Sequence, residues 1–219
     1  FDQWLRRPGD LTALMGGSEV TLVAITSAEL ELVPTPKRKG LVLLFFASVI
    51  DAMQATVDIL DLEPAAIEHI DRLLYDQTRG QLAFKPVRAL LELDTQPSEA
   101  ILMVEFWDDF GEKVATLTQR RLGIRQQVLT DSREQEMVWA MRKAGVALVT
   151  GIRGAAKAVV GIEDTAVRPE QLPDYVRGLQ SLMARHGLAA SFYGHAASGL
   201  LHVRPVIDLH KADGVQTFR

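Results

Sequence analysis

The sequence predicts an α+β fold, with a mixed, mainly antiparallel sheet and helices packed on one face. Three observations carry this expectation. Two apolar runs of strand length, residues 41–46 (LVLLFF) and 100–107 (AILMVEFW), lack the polar alternation of a half-exposed strand. Each is followed by a turn or cap signal and an apolar stripe at helical spacing. Two late extended segments, residues 189–193 and 201–207, flank a glycine-containing turn. A parallel α/β sheet is the competing arrangement.

In order along the chain, Pro8, Gly9, Gly16 and Gly17 make a breaker-rich start. Residues 21–25 and 30–33 favour extended structure by composition, and Pro34, Pro36 and the basic PKRKG form a boundary or crossover. After the strand at 41–46, Ser48 caps a helix whose stripe is Val49, Met53, Val57 and Leu60. Pro64 opens a further helix with Ile67, Ile70, Leu73 and Leu74 on its buried face. Pro86 limits a strand or loop near FKPVRALLEL.

Asp108, Asp109 and Gly111 mark a turn into a helix bearing Val114, Leu117 and Leu122. Asp131 caps the next helix, with Glu134 three positions on and Met137, Met141 and Leu148 recurring near helical spacing. Residues 158–162 make a short strand. Leu172, Val176, Leu179, Leu182 and Met183 define a helix that ends near Gly187. Pro205 points to an edge or exit position for the last strand.

Composition narrows the function classes. A chain of 219 residues can bury one sizeable core or carry one domain with a piece of a second. With 47% hydrophobic and 24% charged residues it has the makings of an ordinary globular protein. A net charge of -4 gives no attraction toward nucleic acid, so no nucleic-acid partner is expected. The absence of Cys removes disulfides, thiolate nucleophiles and cysteine-held iron–sulfur clusters from this segment. Its longest apolar stretch, residues 41–50, is about half of what a spanning helix needs.

Candidate chemistry lies in a few polar residues. His195 and His202 flank the turn between two extended segments, so both imidazoles can face one site and offer neutral nitrogens to a divalent metal or a substrate oxygen. The competing use is structural, with each ring bonded to a carboxylate or carbonyl and Tyr193 filling the core. Arg142 shares a helix face with Trp139, and its guanidinium can clamp a small organic acid. An ordinary ion pair, with Trp139 in the core, is the alternative. Arg204 can share the strand face of His202 and add positive potential, or bridge surface carboxylates. Glu163 and Asp164 are adjacent on a strand and therefore expected on opposite sides, which argues against a coordinated acid/base pair. Asp164 remains a candidate to orient a histidine.

The segments GGSEVTLVAITSAELELVPTPKRKG, MVWAMRKAG, VVGIEDTAVRPEQLPDY and YGHAASGLLHVRP, in this order, resemble the FAD-linked oxidase family that includes glycolate oxidase and D-lactate or D-2-hydroxyacid dehydrogenases. Within it, the chain looks closest to the large bacterial proteins that fuse a flavin region to an iron–sulfur region. The resemblance implies a ferredoxin-like α+β substrate-side domain over residues 37–219, preceded by the edge of an FAD-binding domain and a linker over residues 1–36.

From the resemblance also come the expected site residues. The family pattern GSEGTLG corresponds to residues 17–23, so Gly17, Ser18, Glu19, Thr21 and Leu22 are flavin-side candidates, with Val20 and Val23 in place of glycines. Arg142 matches an arginine that receives a hydroxyacid carboxylate, with Arg204 as a second substrate-side cation. His195 and His202 match the two histidines that ligate a divalent ion such as zinc or iron beside the flavin. Ala197, Ser198 and Leu200 depart from the usual Gly, Asp and Asn of that stretch.

The activity implied is oxidation of a small D-2-hydroxy acid, such as lactate, glycolate or 2-hydroxyglutarate, to the 2-keto acid, with hydride passing to FAD. The family's later acidic ligand and its catalytic histidine fall beyond Arg219, so this segment is expected to be a catalytically incomplete fragment. Its expected partners are the missing FAD-binding domain and a separate or fused iron–sulfur domain, with a homodimer as a compatible assembly. The expected location is the cytoplasm, with inner-membrane contact through other regions or partners. A noncatalytic ligand-binding module and a structural piece of a larger redox protein are the alternatives.

Overall fold

The computed structural model describes residues 5–18 and 20–219. It divides into two units, Phe1–Thr35 and Pro36–Arg219. In the first unit a short helix, Thr12–Gly16, leads into a turn in which Thr21 donates from both N and Oγ1 to the Ser18 carbonyl, at 2.8 and 2.5 Å. Residues 21–25 and 30–33 do not form the expected strands. Leu30, Leu32 and Val33 are exposed, and β-propensity without a partner strand has nothing to pack on.

The second unit is built on one sheet. Its strands are β1 (Lys39–Phe46), β2 (Ala66–Asp71), β3 (Ala100–Trp107), β4 (Arg125–Leu129), β5 (Lys157–Ala158), β6 (Ile162–Ala166), β7 (Ala190–His195) and β8 (Leu200–Ile207). They run in the order β4-β1-β3-β2-β7-β8-β5, with β6 also paired to β8. Every described pairing is antiparallel, so the expected mixed sheet is purely antiparallel here. The first four strands follow strand–helix–strand, strand–helix–strand connectivity, the layout of a split β-α-β unit.

Helices cover both faces of the sheet, not one. Alternation along β1 explains why: Val42, Leu44 and Phe46 enter one core with α1 (Val49–Ile59), α4 (Gly111–Gln119) and α7 (Leu172–Arg185). Leu41, Leu43 and Phe45 enter a second core with α2 (Arg72–Asp76), α3 (Lys85–Leu90), α5 (Ser132–Lys143) and α6 (Gly145–Thr150). Strands buried on both sides read as continuous apolar runs. Ser48 caps α1 by accepting the Asp51 N–H at 3.0 Å, and Asp131 caps α5.

The helix expected from Pro64 does not form as such. Residues 66–71 form β2, an inner strand between β3 and β7, and only Arg72–Asp76 is helical. Ile67 and Ile70 then point into opposite cores, which is the odd–even outcome of a strand, whereas a helix would have put them on one stripe. Residues 85–90 near Pro86 are helical, and β4 was not anticipated. Pro205 is not on an edge strand: β8 lies between β7 and the β5/β6 side, and Pro205 falls in the gap between the β5 and β6 pairings, where a missing N–H is tolerated. The last helix is α8 (Ala212–Phe218). No helix among the described residues is long and apolar enough to cross a membrane.

Candidate functional site

Polar side chains collect where β2, β7, β8 and β6 meet beneath α5. Strand alternation puts Glu68 of β2, Tyr193 and His195 of β7, and His202 and Arg204 of β8 on the α5 side of the sheet. Two glycines shape the β7–β8 hairpin. A Cβ at Gly194 would lie 2.5 Å from the Leu200 carbonyl oxygen, and one at Gly199, whose φ is +73°, would lie 1.8 Å from the Val167 carbonyl oxygen. Both positions therefore need the bare backbone.

On the β2 side, Glu68 Oε2 accepts from Arg142 Nε at 2.8 Å and lies 2.7 Å from Nη2, while Oε1 lies 2.5 Å from His195 Nδ1. On the β8 side, His202 Nδ1 is 3.2 Å from both Glu163 Oε2 and Asp164 Oδ1. The other Glu163 oxygen pairs with Arg204, whose Nε donates to the Tyr193 hydroxyl at 3.1 Å. Tyr193 joins the halves: its ring centroid is 5.0 Å from that of His202 and 5.5 Å from the Arg142 guanidinium carbon. The two imidazoles stand edge to face with centroids 6.0 Å apart. Burial pushes the Tyr193 phenol up, so it stays protonated while it accepts from Arg204.

The framework is anchored by Asp71, buried at the end of β2. Its carboxylate accepts from Leu74 N at 3.0 Å, Ser191 Oγ at 2.8 Å and Phe192 N at 2.6 Å, tying α2 and β7 to β2. Burial raises its pKa to about 6 against the pull of these donors.

Residues 35–219 match the profile of the C-terminal domain of FAD linked oxidases. The chain belongs to this family. Escherichia coli (strain K12) D-2-hydroxyglutarate dehydrogenase is 32% identical over 214 residues, covering 91% of this chain and 21% of the relative. Glycolate oxidase subunit GlcD of Bacillus subtilis (strain 168) is 24% identical, covering 94% of this chain and 43% of the relative. The chain thus spans well under half the length of these relatives. Among solved structures, 4-ethylphenol oxidase from Gulosibacter chungangensis, in its isoeugenol complex, superposes with a TM-score of 0.52 at 15% identity over 86% of this chain and 43% of that one. That likeness speaks for the fold alone.

In this FAD-linked oxidase C-terminal domain, Arg142, His195, His202 and Arg204 lie in one polar cluster. Arg204 is buried at 3% exposure and already engaged by Glu163 and Tyr193, so it acts on the cluster from beneath. Trp139 does not share the Arg142 environment. It lines a separate cleft of about 580 Å³ with Lys39, Glu105, Glu136 and Lys143. Gly17, Ser18, Thr21 and Leu22 belong to the first unit, and Glu19 lies outside the described residues. Val20 adopts a left-handed φ of +64°, a region that a β-branched residue rarely takes.

Sequence reasoning missed Glu68 and undervalued Glu163. Glu68 was hidden by the helix expected over residues 64–74. Its stretch, AIEHID, carries no local signal that separates strand from helix, because Ala66, Ile67 and Ile70 also fit one helical stripe. Glu163 and Asp164 reach one imidazole because β6 bulges between Ile162 and Thr165 and Asp164 adopts a φ of +48°, which breaks strand alternation.

A divalent ion fits the donor set. Both imidazoles present Nδ1 to carboxylates, and a neutral ring that donates from Nδ1 keeps its lone pair on Nε2, the nitrogen an ion would need. The tightest ligand group among the described residues is Glu163, Asp164 and His202, whose donor atoms lie within 4.8 Å of one another, and His195 stands outside it.

Proposed function

We propose that the complete polypeptide carrying this chain is an FAD-dependent dehydrogenase that oxidises a small D-2-hydroxy acid, of the lactate, glycolate or 2-hydroxyglutarate kind, to the 2-keto acid. One observation carries the reading: the Arg142 guanidinium, distant in sequence, and the His202 imidazole both pack on Tyr193, with His195 edge to face against His202. The names of the relatives in E. coli and B. subtilis support it. So does their length, which leaves room for a flavin domain and, in the longer ones, an iron–sulfur region.

When bound, FAD supplies the two-electron acceptor, and a zinc or iron ion supplies positive charge at the substrate hydroxyl. Arg142 binds the substrate carboxylate, its Nη1 edge being the one that Glu68 leaves open. His195 and His202 would hold the ion, with Glu68 bonded to Nδ1 of the first ring and Glu163 and Asp164 facing Nδ1 of the second. Arg204 and the protonated Tyr193 support the floor of the site. Gly17, Ser18, Thr21 and Leu22 would be flavin-side residues. The keto acid would result when a base supplied elsewhere in the complete polypeptide takes the hydroxyl proton and FAD accepts the hydride of the adjacent carbon.

A second reading has one observation in its favour. Both guanidiniums already hold internal carboxylates, Glu68 and Glu163, as they would in a domain that binds an acid without turnover or only supports its neighbours. Anaerobic exposure of the complete, flavin-loaded protein to a panel of D-2-hydroxy acids separates the two. Bleaching of the flavin band is expected, and a folded, flavin-loaded protein that none of them bleaches contradicts the dehydrogenase reading.

A further inference from the structure

We propose that Glu68 is a positioning residue that sets both Arg142 and His195, coupling the place where a substrate carboxylate is held to the ligating nitrogen of one imidazole. The proposal deepens the hydroxy-acid reading and rests on it in its kinetic arm alone.

Glu68 stands on the inner strand β2, directly across from Met103 on one side and His195 on the other. Its side chain is only 11% exposed, so its orientation is set by neighbours and not by solvent. A carboxylate only accepts hydrogen bonds, and here each oxygen has its own donor: Oε2 takes Arg142 and Oε1 takes His195 Nδ1. Accepting from Nδ1 places the proton there and leaves Nε2 with the lone pair. With Nε of Arg142 donating to Oε2 and Nη2 lying 2.7 Å from it, Nη1 is the guanidinium nitrogen that Glu68 does not engage. No other described carboxylate reaches both partners.

Glutamine has nearly the same shape but one acceptor oxygen for two donors. Glu68→Gln must therefore lose one contact: its amide N–H₂ either faces the guanidinium, releasing Arg142, or faces Nδ1, driving His195 into the Nε2–H form, whose Nε2 has no lone pair for an ion. A residue that merely filled space would move neither property.

The test uses the complete, FAD-loaded protein with ¹⁵N-labelled histidine, as wild type, Glu68→Gln and Glu68→Asp, with His195→Asn to assign the resonance. The wild type is expected to show His195 as the Nδ1–H tautomer. Glu68→Gln is expected to keep its fold while zinc affinity, read by chelator competition, falls roughly 10–100-fold, or while KM for a 2-hydroxy acid rises about tenfold with Arg142 released. Glu68→Asp, which keeps both acceptors, recovers part of each loss. A wild-type His195 in the Nε2–H form overturns the proposal even where Glu68→Gln does not fold. A folded Glu68→Gln with unchanged tautomer, zinc affinity and KM overturns it as well. If the wild type oxidises no 2-hydroxy acid but the tautomer and zinc results hold, the hydroxy-acid reading falls and the positioning role stands.

Discussion

The carboxylate of Asp71 on β2 accepts the backbone N–H of Phe192 on β7 at 2.6 Å, and this bond, inside the sheet, aligns the strand bearing Glu68 with the strand bearing His195. Asp71→Ala leaves three buried donors without an acceptor and is expected to cost about 3 kcal/mol or more. Asp71→Asn keeps one acceptor oxygen and costs less. Urea unfolding midpoints of the two variants check the order, and an Ala variant as stable as the wild type would contradict it.

Buried ionisable groups make the stability of this domain depend on acid. His69 is fully buried on β2, with only the Ile101 backbone as a weak polar neighbour, and desolvation, helped by the charge of Arg142, lowers its pKa from 6.5 to about 3. The folded state therefore keeps a neutral ring that the unfolded chain protonates. This contribution is whole above pH 6.5 and is lost as pH falls toward 3. Asp71 acts in the opposite sense: raised from 3.8 to about 6, it lets the folded state hold a proton the unfolded chain has released, favouring folding as pH falls through that window. His69→Leu removes only the first effect. Between pH 7.5 and 4.5 it should gain about 2–3 kcal/mol relative to wild type, and a difference that does not change with pH argues against a neutral buried ring.

Gly199→Ala tests the hairpin. The left-handed φ of +73° and the 1.8 Å approach to the Val167 carbonyl oxygen leave no room for a methyl group, so β6 must shift and carry Glu163 and Asp164 away from His202. A loss of about 3 kcal/mol or more is expected. A thermal midpoint equal to that of the wild type would show that the strand tolerates displacement.

Arg142→Lys keeps the charge but not the planar fork. In the complete protein it should raise KM for a 2-hydroxy acid about tenfold or more while the bound flavin content stays constant. Equal KM values would place the carboxylate elsewhere.

How far the sequence could be read varied with the source of each element's stability. β1 and β3 announced themselves, because a strand buried on both faces must be apolar throughout. The helices capped by Ser48 and Asp131 were equally plain, since their start signals are local. β2 was not: Ile67, Ile70, Leu73 and Leu74 also satisfy a helical spacing, and only pairing with β3 and β7 decides for a strand. Residues 21–33 failed the opposite way, with strand-like composition and no partner. In the site, the arginine and the histidines were visible as residue types suited to acids and ions. Their carboxylate partners were not, because Glu68 depends on long-range strand pairing and Glu163 on a bulge that no period announces.

In the proposed enzyme Arg142 and the two imidazoles act on one small molecule. A crystal structure of the complete, flavin-loaded protein with zinc and a 2-keto acid tests it most directly. The ligand carboxylate is expected on the Arg142 guanidinium and the zinc on Nε2 of both His195 and His202. Zinc held by Glu163, Asp164 and His202 alone, with the keto acid away from Arg142, would contradict it.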